Sequence, residues 1–390
     1  MLQGSAPPTA GTTPLWKMVA SAIFGAVVSL FIRRIFDKPL DRWERKIGYF
    51  FRTTRFRLQK LNIVPYHHDE FRIGKWRTPW ITVEGSSSDP YIPANVVCQL
   101  DPTPIALPPE RQREREKIEA VQSELEKSGS PREYHDGPTV ALAAVGRGQV
   151  GYTEAPFLAL RLRPSAYYNY LATTMCLDDA FQEEGSTDTV RSRYLRDLHY
   201  ESPFAEFVGA FAINLAVITK DGFIVVAKRG TAGVFPYGGY ISPAINECIN
   251  PVSDRNASGT LSLFATAQRG ANHELNIEIT EDELVFFTLG VDVHWYSYLL
   301  TGMVRSKTVT CDDIKSRRTL GSKERWETEH LYFLPHDLDA AAKFMSESSK
   351  TERWSPVSIV CLTQTLIVEF GTKKTERALS KYGPQRLKDP

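Results

Sequence analysis

A chain of 390 residues that is 42% hydrophobic, 24% charged and 11% aromatic has the make-up of one or two globular domains, which excludes a wholly disordered chain, a collagen and a multi-pass membrane protein. With 47 Lys plus Arg against 46 Asp plus Glu, the formal charge is +1, so nucleic acid is not the expected partner. The five cysteines, Cys98, Cys176, Cys248, Cys311 and Cys361, form no C-x-x-C pair, which leaves buried thiols in a reducing compartment.

Residues 1–14 are a short tail without side-chain charge. Residues 15–32, LWKMVASAIFGAVVSLFI, would span about 27 Å as a helix, close to the hydrocarbon thickness of a bilayer. Lys17 lies in the first turn, where its stem reaches the headgroups, and Trp16 suits the interface. Arg33, Arg34, Lys38, Arg42, Arg45 and Lys46 follow. This charge order predicts a single-pass transmembrane helix with its N-terminus outside and the bulk of the chain cytoplasmic. A signal peptide would carry its charges before the apolar run, and a buried core helix is the remaining reading of so short a segment. Ser21, Gly25 and Ser29 recur every four residues. That spacing admits a close helix pair and hence a homodimer, and it equally reflects the ordinary composition of membrane helices. Residues 33–84 read as a basic, aromatic juxtamembrane segment, with Trp43, Tyr49, Phe50, Phe51 and Phe56 among Arg and Lys, lying on anionic membrane lipid.

Residues 85–135 read as linker and charged helix: GSSSDP, DPTP and LPPE are turn-rich, and ERQREREKIEAVQSELEKSG is helical. Its thin apolar stripe is Ile118, Val121 and Leu125, and Gly129 stops it. Within residues 136–206, Gly146, Gly148 and Gly151 spell G-x-G-x-x-G. A dinucleotide site needs a helix to start there, whereas Pro156 follows closely, so a hairpin between ALAAV and FLALRLR is predicted.

Residues 207–375 carry the sharpest pattern. Strands AINLAVIT and FIVVAKR meet at Asp221-Gly222, a strong hairpin signal. A tight turn at Gly238 and Gly239 follows, then the polar insertion INPVSDRNASGTLSLF. The stretch ATAQRGANHELNI reads as a helix closing at Asn276, a residue that tolerates the left-handed cap. ELVFFTLGVDV, HWYSYLLTGMV and WETEHLYFLP read as strands, PVSIVCLTQTLIVEF as an apolar helix, and residues 376–390 as a tail. His294 and Trp295 fall in an apolar stretch and read as core.

This order of strands, glycine turn, helix, strands and helix resembles the Nudix hydrolase superfamily over residues 140–370, including RLRPSAYYNY. The family helix is written R-E-U-x-E-E-x-G-U, with U aliphatic. Here Arg269, Glu274 and Ile277 match and Asn276 stands for the closing glycine, while Gly270 and His273 replace two carboxylates. A register starting at His273 would keep Glu274 and Glu278 but lose the arginine and the cap. Ile245 stands where the glycine turn usually carries a Glu, and the nearest acid is Glu247. The likeness is nearest to the Nudix domains of SMODS-type nucleotide-signalling defence systems, many with N-terminal membrane helices, and more distant to UDP-sugar diphosphatases.

The resemblance implies an α+β fold, an α/β/α sandwich with a mixed sheet, whose helix carboxylates at i, i+3 and i+4 hold Mg²⁺ against a diphosphate. On these positions, Glu274 and His273 are the candidate catalytic residues. Glu274, Glu247 and Glu278 are the candidate metal ligands, for Mg²⁺ or the softer Mn²⁺, since histidine suits a hard cation poorly. Lys228, Arg229 and Glu327 are candidates for ligand contact, and Arg269 is expected to brace the loop. The plainer readings are a solvated sheet edge for Lys228 and Arg229, a surface or capping role for His273 and an exposed helix acid for Glu274. Three functions follow as expectations: a membrane-anchored binding module for a nucleotide or nucleoside-diphosphate-linked ligand, an active metal-dependent pyrophosphohydrolase, or a structural membrane adaptor.

Overall fold

The apolar run Pro356–Phe370 organises the layers. Pro356 presets the first turn, and Gly371 at φ 87° ends it with a conformation that favours glycine. Eleven consecutive residues from Pro356 to Leu366 are buried, so this helix is covered nearly all round. Each fully buried Val or Leu in it contributes roughly 1.5–3 kcal/mol relative to exposure.

A computed structural model describes residues 70–384, apart from 131, 151–154, 182–186, 196–198, 232–233 and 322–326. The segment 15–32, its Ser21, Gly25 and Ser29 stripe and the aromatics Trp43, Tyr49, Phe50, Phe51 and Phe56 lie outside the described residues. Among the described residues, no helix is long and apolar enough to cross a membrane.

In chain order the elements are β1 (Glu70–Ile73), β2 (Trp76–Gly85), β3 (Val96–Leu100), α1 (Pro109–Lys127), β4 (Pro138–Val150), β5 (Ala155–Ala166), α2 (Tyr167–Thr174) and α3 (Val190–Tyr194). They continue with β6 (Ala212–Ile218), β7 (Phe223–Arg229), β8 (Ile241–Pro243), β9 (Ile245–Cys248) and α4 (Leu263–Gly270), which runs into a π turn, Ala271–Leu275. Then come β10 (Leu284–Asp292), β11 (Ser297–Arg305), α5 (Cys311–Gly321), β12 (Thr328–Pro335), α6 (Leu338–Ser348), α7 (Pro356–Phe370) and α8 (Thr372–Lys381).

The fold is α+β with a mixed sheet. Nine strands form the large sheet in the order β1-β2-β10-β11-β6-β7-β12, with β9 paired to β6 and β8 to β7. Within it β11 and β6 run parallel and the other pairs antiparallel. A second sheet, β3-β5-β4, has three strands. Helix α7 packs on the large sheet, with Cys361, Leu362 and Leu366 against Ala216, Ile218 and Met303. A side-chain link crosses this apolar layer: Gln364 accepts from Thr301 Oγ1 at 2.6 Å and donates to Thr288 Oγ1 at 2.7 Å.

Several boundaries differ from the sequence reading. Residues 70–84, assigned to the juxtamembrane segment, form β1 and most of β2. Trp76 and Trp80 are buried, and Trp80 sits over Gly290 of β10, where a methyl group would collide with the indole. The stretch read as linker contains β3, paired in parallel with β5. Of the solvated-helix stripe, Ile118 packs against the Tyr168, Tyr170 and Leu171 cluster and Leu125 is half-buried, while Val121 is exposed, and α1 docks also through buried Arg111 and Gln122. Arg111 reaches the Ala172 carbonyl of α2, and Gln122 accepts two backbone N–H groups from residues 133 and 134. Gly146 and Gly148 of the G-x-G-x-x-G run lie in the antiparallel β4–β5 ladder, opposite Ala159 and Phe157. His294 and Trp295 belong to a turn between β10 and β11 rather than to a strand, and His294 is half-buried.

Candidate functional site

Three short pieces of chain meet at one end of the large sheet. Strand β9 supplies Glu247, the end of α4 supplies Arg269, and the π turn supplies Glu274. Ser262 caps α4, its hydroxyl accepting from the Ala265 N–H at 3.3 Å. Asn276 at φ 55° closes the turn in the left-handed region, as its sequence position predicts. The π turn adds a residue to the helical repeat, a device common at functional sites, and Glu274 within it is buried.

Arg269 ties the group together. Its Nε and Nη2 donate to the two carboxylate oxygens of Asp254 at 2.7 and 2.8 Å, its Nη1 to Glu247 at 2.5 Å, and its Nη2 to the Cys248 carbonyl at 2.6 Å. Asp254, only 1% exposed, also accepts from Asn250 N–H and Thr266 Oγ1. Burial works against its charge, but the Arg269 fork and these donors hold its carboxyl below the usual aspartate range. Arg269 is held more firmly protonated than usual: its burial opposes this, and the Asp254 and Glu247 carboxylates outweigh the burial. Asp254 lies in the insertion that reads as too polar for a core element, and it was not foreseen. Its polarity belongs to this buried charge network.

Glu274 differs. Its Oε1 accepts the Asn246 N–H at 2.6 Å, yet burial, with Glu247 and Glu327 nearby, pushes its carboxyl well above the usual glutamate value of 4.5 despite Arg229. It is therefore a neutral carboxylic acid over a range where exposed glutamates are charged. Gly270 allows Glu247 to approach, because a Cβ on Gly270 would lie 2.9 Å from Glu247 Cβ and 2.8 Å from Ile245 Cγ2.

The remaining candidates fall into place unevenly. Arg229 pairs with Glu327 at 3.5 Å and faces the same group. Lys228 pairs instead with Glu352 at 3.2 Å and Glu329 at 3.8 Å, so it is spoken for by acids of its own. Strand β7 lies between β6 and β12, which corrects the sheet-edge reading of both cations. Glu274 is buried, which corrects its reading as an exposed helix acid. Glu278 is exposed, two residues beyond the left-handed cap, and is not brought into the group. His273 is half-buried on the π turn.

These residues do not fit a ready Mg²⁺ or Mn²⁺ site. Glu247 and Glu327 each face an arginine, Glu274 is held toward its neutral form, and Glu278 lies apart. Among the described residues, no group of three or more His, Cys, Asp and Glu is arranged to hold a metal ion.

Beside the acid group lies a cavity of about 60 Å³, mostly apolar in surface, into whose wall Arg229, Tyr237, Ser242, Asn246, Asp292 and Ser297 bring polar groups. Tyr237 sits at φ 66°, unusual for an aromatic residue, and its hydroxyl donates to Asp292. Asp292, 1% exposed, also accepts the His294 N–H at 2.9 Å. Tyr170 OH and Ser297 Oγ are 3.2 Å apart. Burial, then the Asp292 carboxylate, keeps the Tyr237 phenol protonated. Arg191 fixes the adjacent turn by donating to the Val293 and His294 carbonyls at 3.0 and 2.7 Å while paired with Asp178. The sequence reading did not find this cavity. Its one local signal was an aspartate ending an apolar strand at Asp292, and Tyr237, its partner, lies 55 residues away.

No known protein family matches this sequence, and no curated protein does. Among solved structures the chain is similar to the Deinococcus radiodurans protein DR0079, with 14% identity and a TM-score of 0.26, over 43% of this chain and 88% of that one. A likeness of that size carries no argument here.

Proposed function

We propose that this chain is a Nudix-like binding module that takes a nucleotide or a nucleoside-diphosphate-linked ligand at the Glu247, Glu274 and Arg229 group. The observation that carries this reading is the neutralisation of the acids. Arg269 sits on Glu247 and Asp254, Arg229 on Glu327, and Glu274 is pushed toward its uncharged form. A neutral Glu274 does not repel a phosphate and can donate a hydrogen bond to it, while Arg229 supplies positive charge. The N-terminal segment 15–32 would hold such a sensor at the membrane, its N-terminus outside, and nucleotide-signalling defence is the setting its resemblance suggests.

Metal-dependent pyrophosphohydrolysis is the second reading, favoured by one feature. Gly270 replaces the first carboxylate of the family helix, and Glu247 packs against it from β9, as a relocated acid would. The experiment uses the full-length chain in detergent with nucleoside-diphosphate-linked compounds, alone and with Mg²⁺ or Mn²⁺. Melting temperature and chromatographic products are read in parallel for wild type and Glu274→Gln. A ligand-induced rise in melting temperature without products, retained in Glu274→Gln because glutamine mimics the neutral acid, supports the sensor. Turnover abolished by that substitution overturns it in favour of the hydrolase. Neither binding nor turnover leaves a structural membrane adaptor.

A further inference from the structure

The cavity beside the acid group has a chemistry of its own. Ser242 is 2% exposed, and its Oγ, which lines the cavity, meets no hydrogen-bonding group of the protein; neither does the buried Nε of Arg229. A buried polar atom left unmet costs about 1–3 kcal/mol. Folded proteins keep few such atoms, and those they keep call for an explanation. Here two of them border one cavity together with the Asp292 carboxylate and the Tyr170 and Ser297 hydroxyls.

We propose that this cavity is a recognition subsite for the hydroxyl-bearing edge of a sugar ring. Its size, about 60 Å³, is enough for a pair of hydroxyl groups or a few waters. A hydroxyl both donates and accepts, so one group can donate to Asp292 while accepting from Ser242 or Arg229. An anionic group here would face the Asp292 carboxylate, and an apolar one would leave Ser242 and Arg229 unmet. Tyr170 and Tyr237 complete the wall. Arg229 and Asn246 touch both the cavity and the acid group. A sugar seated in the cavity therefore lies next to the phosphate position of the proposed ligand, and in that respect the inference rests on the binding reading above.

The test titrates the full-length chain with methyl β-D-ribofuranoside, ADP-ribose and inorganic pyrophosphate, by calorimetry, in wild type, Ser242→Ala and Asp292→Asn, which replaces the charged acceptor by a neutral amide. Melting curves establish that each variant folds, and if one does not, the other gives the result. The expected outcome is binding of both sugar compounds to wild type, weakened about five- to tenfold in each folded variant, the size of one lost hydrogen bond. Failure of both sugar compounds to bind wild type, or equal affinity in the variants, overturns the subsite. The pyrophosphate arm reports on the phosphate reading separately. Glycoside binding without pyrophosphate binding keeps the sugar subsite and removes the proposed diphosphate site.

Discussion

The acid group and the cavity share Arg229 and Asn246, yet they treat buried polar atoms in opposite ways. Around Arg269 the charges are paired: Asp254 meets the fork, an N–H and a hydroxyl, and Glu247 meets the same guanidinium. In the cavity, Ser242 and Arg229 keep atoms that the protein does not satisfy. The first arrangement rigidifies and is costly to disturb. The second is tuned for something that arrives later. The Arg269 network is thus scaffold, and the unmet atoms beside it are what a ligand can meet.

The largest expected effect tests the scaffold side. Arg269→Ala strands two buried carboxylates and should destabilise the fold by about 3–5 kcal/mol, measured by urea unfolding. Arg269→Lys restores the charge without the fork and should recover only part of that loss. A loss under about 1 kcal/mol for the alanine variant would show that the network is not a scaffold. Next in size, Gly270→Ala pushes a methyl group into Ile245 and Glu247 and should cost about 1–3 kcal/mol. A neutral result would mean that Glu247 can move away, which would weaken the idea that it replaces a helix carboxylate.

A smaller effect separates Glu274 from its neighbours by pH. The folded chain holds the Glu274 proton more tightly than the unfolded chain, so the native state binds more protons between the two values. Stability therefore falls as pH rises from the ordinary value of 4.5 toward the raised folded value, and stays low above it. Glu274→Gln cannot lose a proton. It should melt higher than wild type at neutral pH, with the gap closing near pH 4.5; a gap independent of pH would contradict the burial argument. The smallest effect belongs to Glu278, exposed beyond the helix cap. Glu278→Gln should change stability by less than about 0.5 kcal/mol and leave ligand binding as it is. A clear loss of binding would return Glu278 to the site.

What the sequence discloses tracks how local the cause is. Strands Ala212–Ile218 and Phe223–Arg229 and helix Pro356–Phe370 lie where their apolar runs place them, because run length and flanking Gly or Pro suffice. The left-handed Asn276 was legible for the same reason. Strands β1 and β2 were not, since Trp76 and Trp80 continue an aromatic, basic stretch that reads as a lipid contact. Only partners far along the chain, such as Gly290 under Trp80, show them to be sheet. At the site, Glu274 and Glu247 were found from the pattern and its nearest acid. Asp254, Asp292 and Tyr237 were not, because each takes its meaning from a partner brought in by the sheet.

Gln364 has a consequence for alignment. Helix α7 is apolar along most of its length, and greasy contacts tolerate sliding by a turn or a small rotation. The bonds from Gln364 to Thr288 and Thr301 do not: a shift of the helix strands the buried Gln364 amide and leaves the two threonines only each other. They act as a locating pin. The cap and first turn of the same helix place Ser355 and Val357 on the cavity wall, and there Ser358 donates to the Ile241 carbonyl at 2.7 Å, so a glutamine in mid-helix and a serine at its start together set where the wall of a recognition pocket stands.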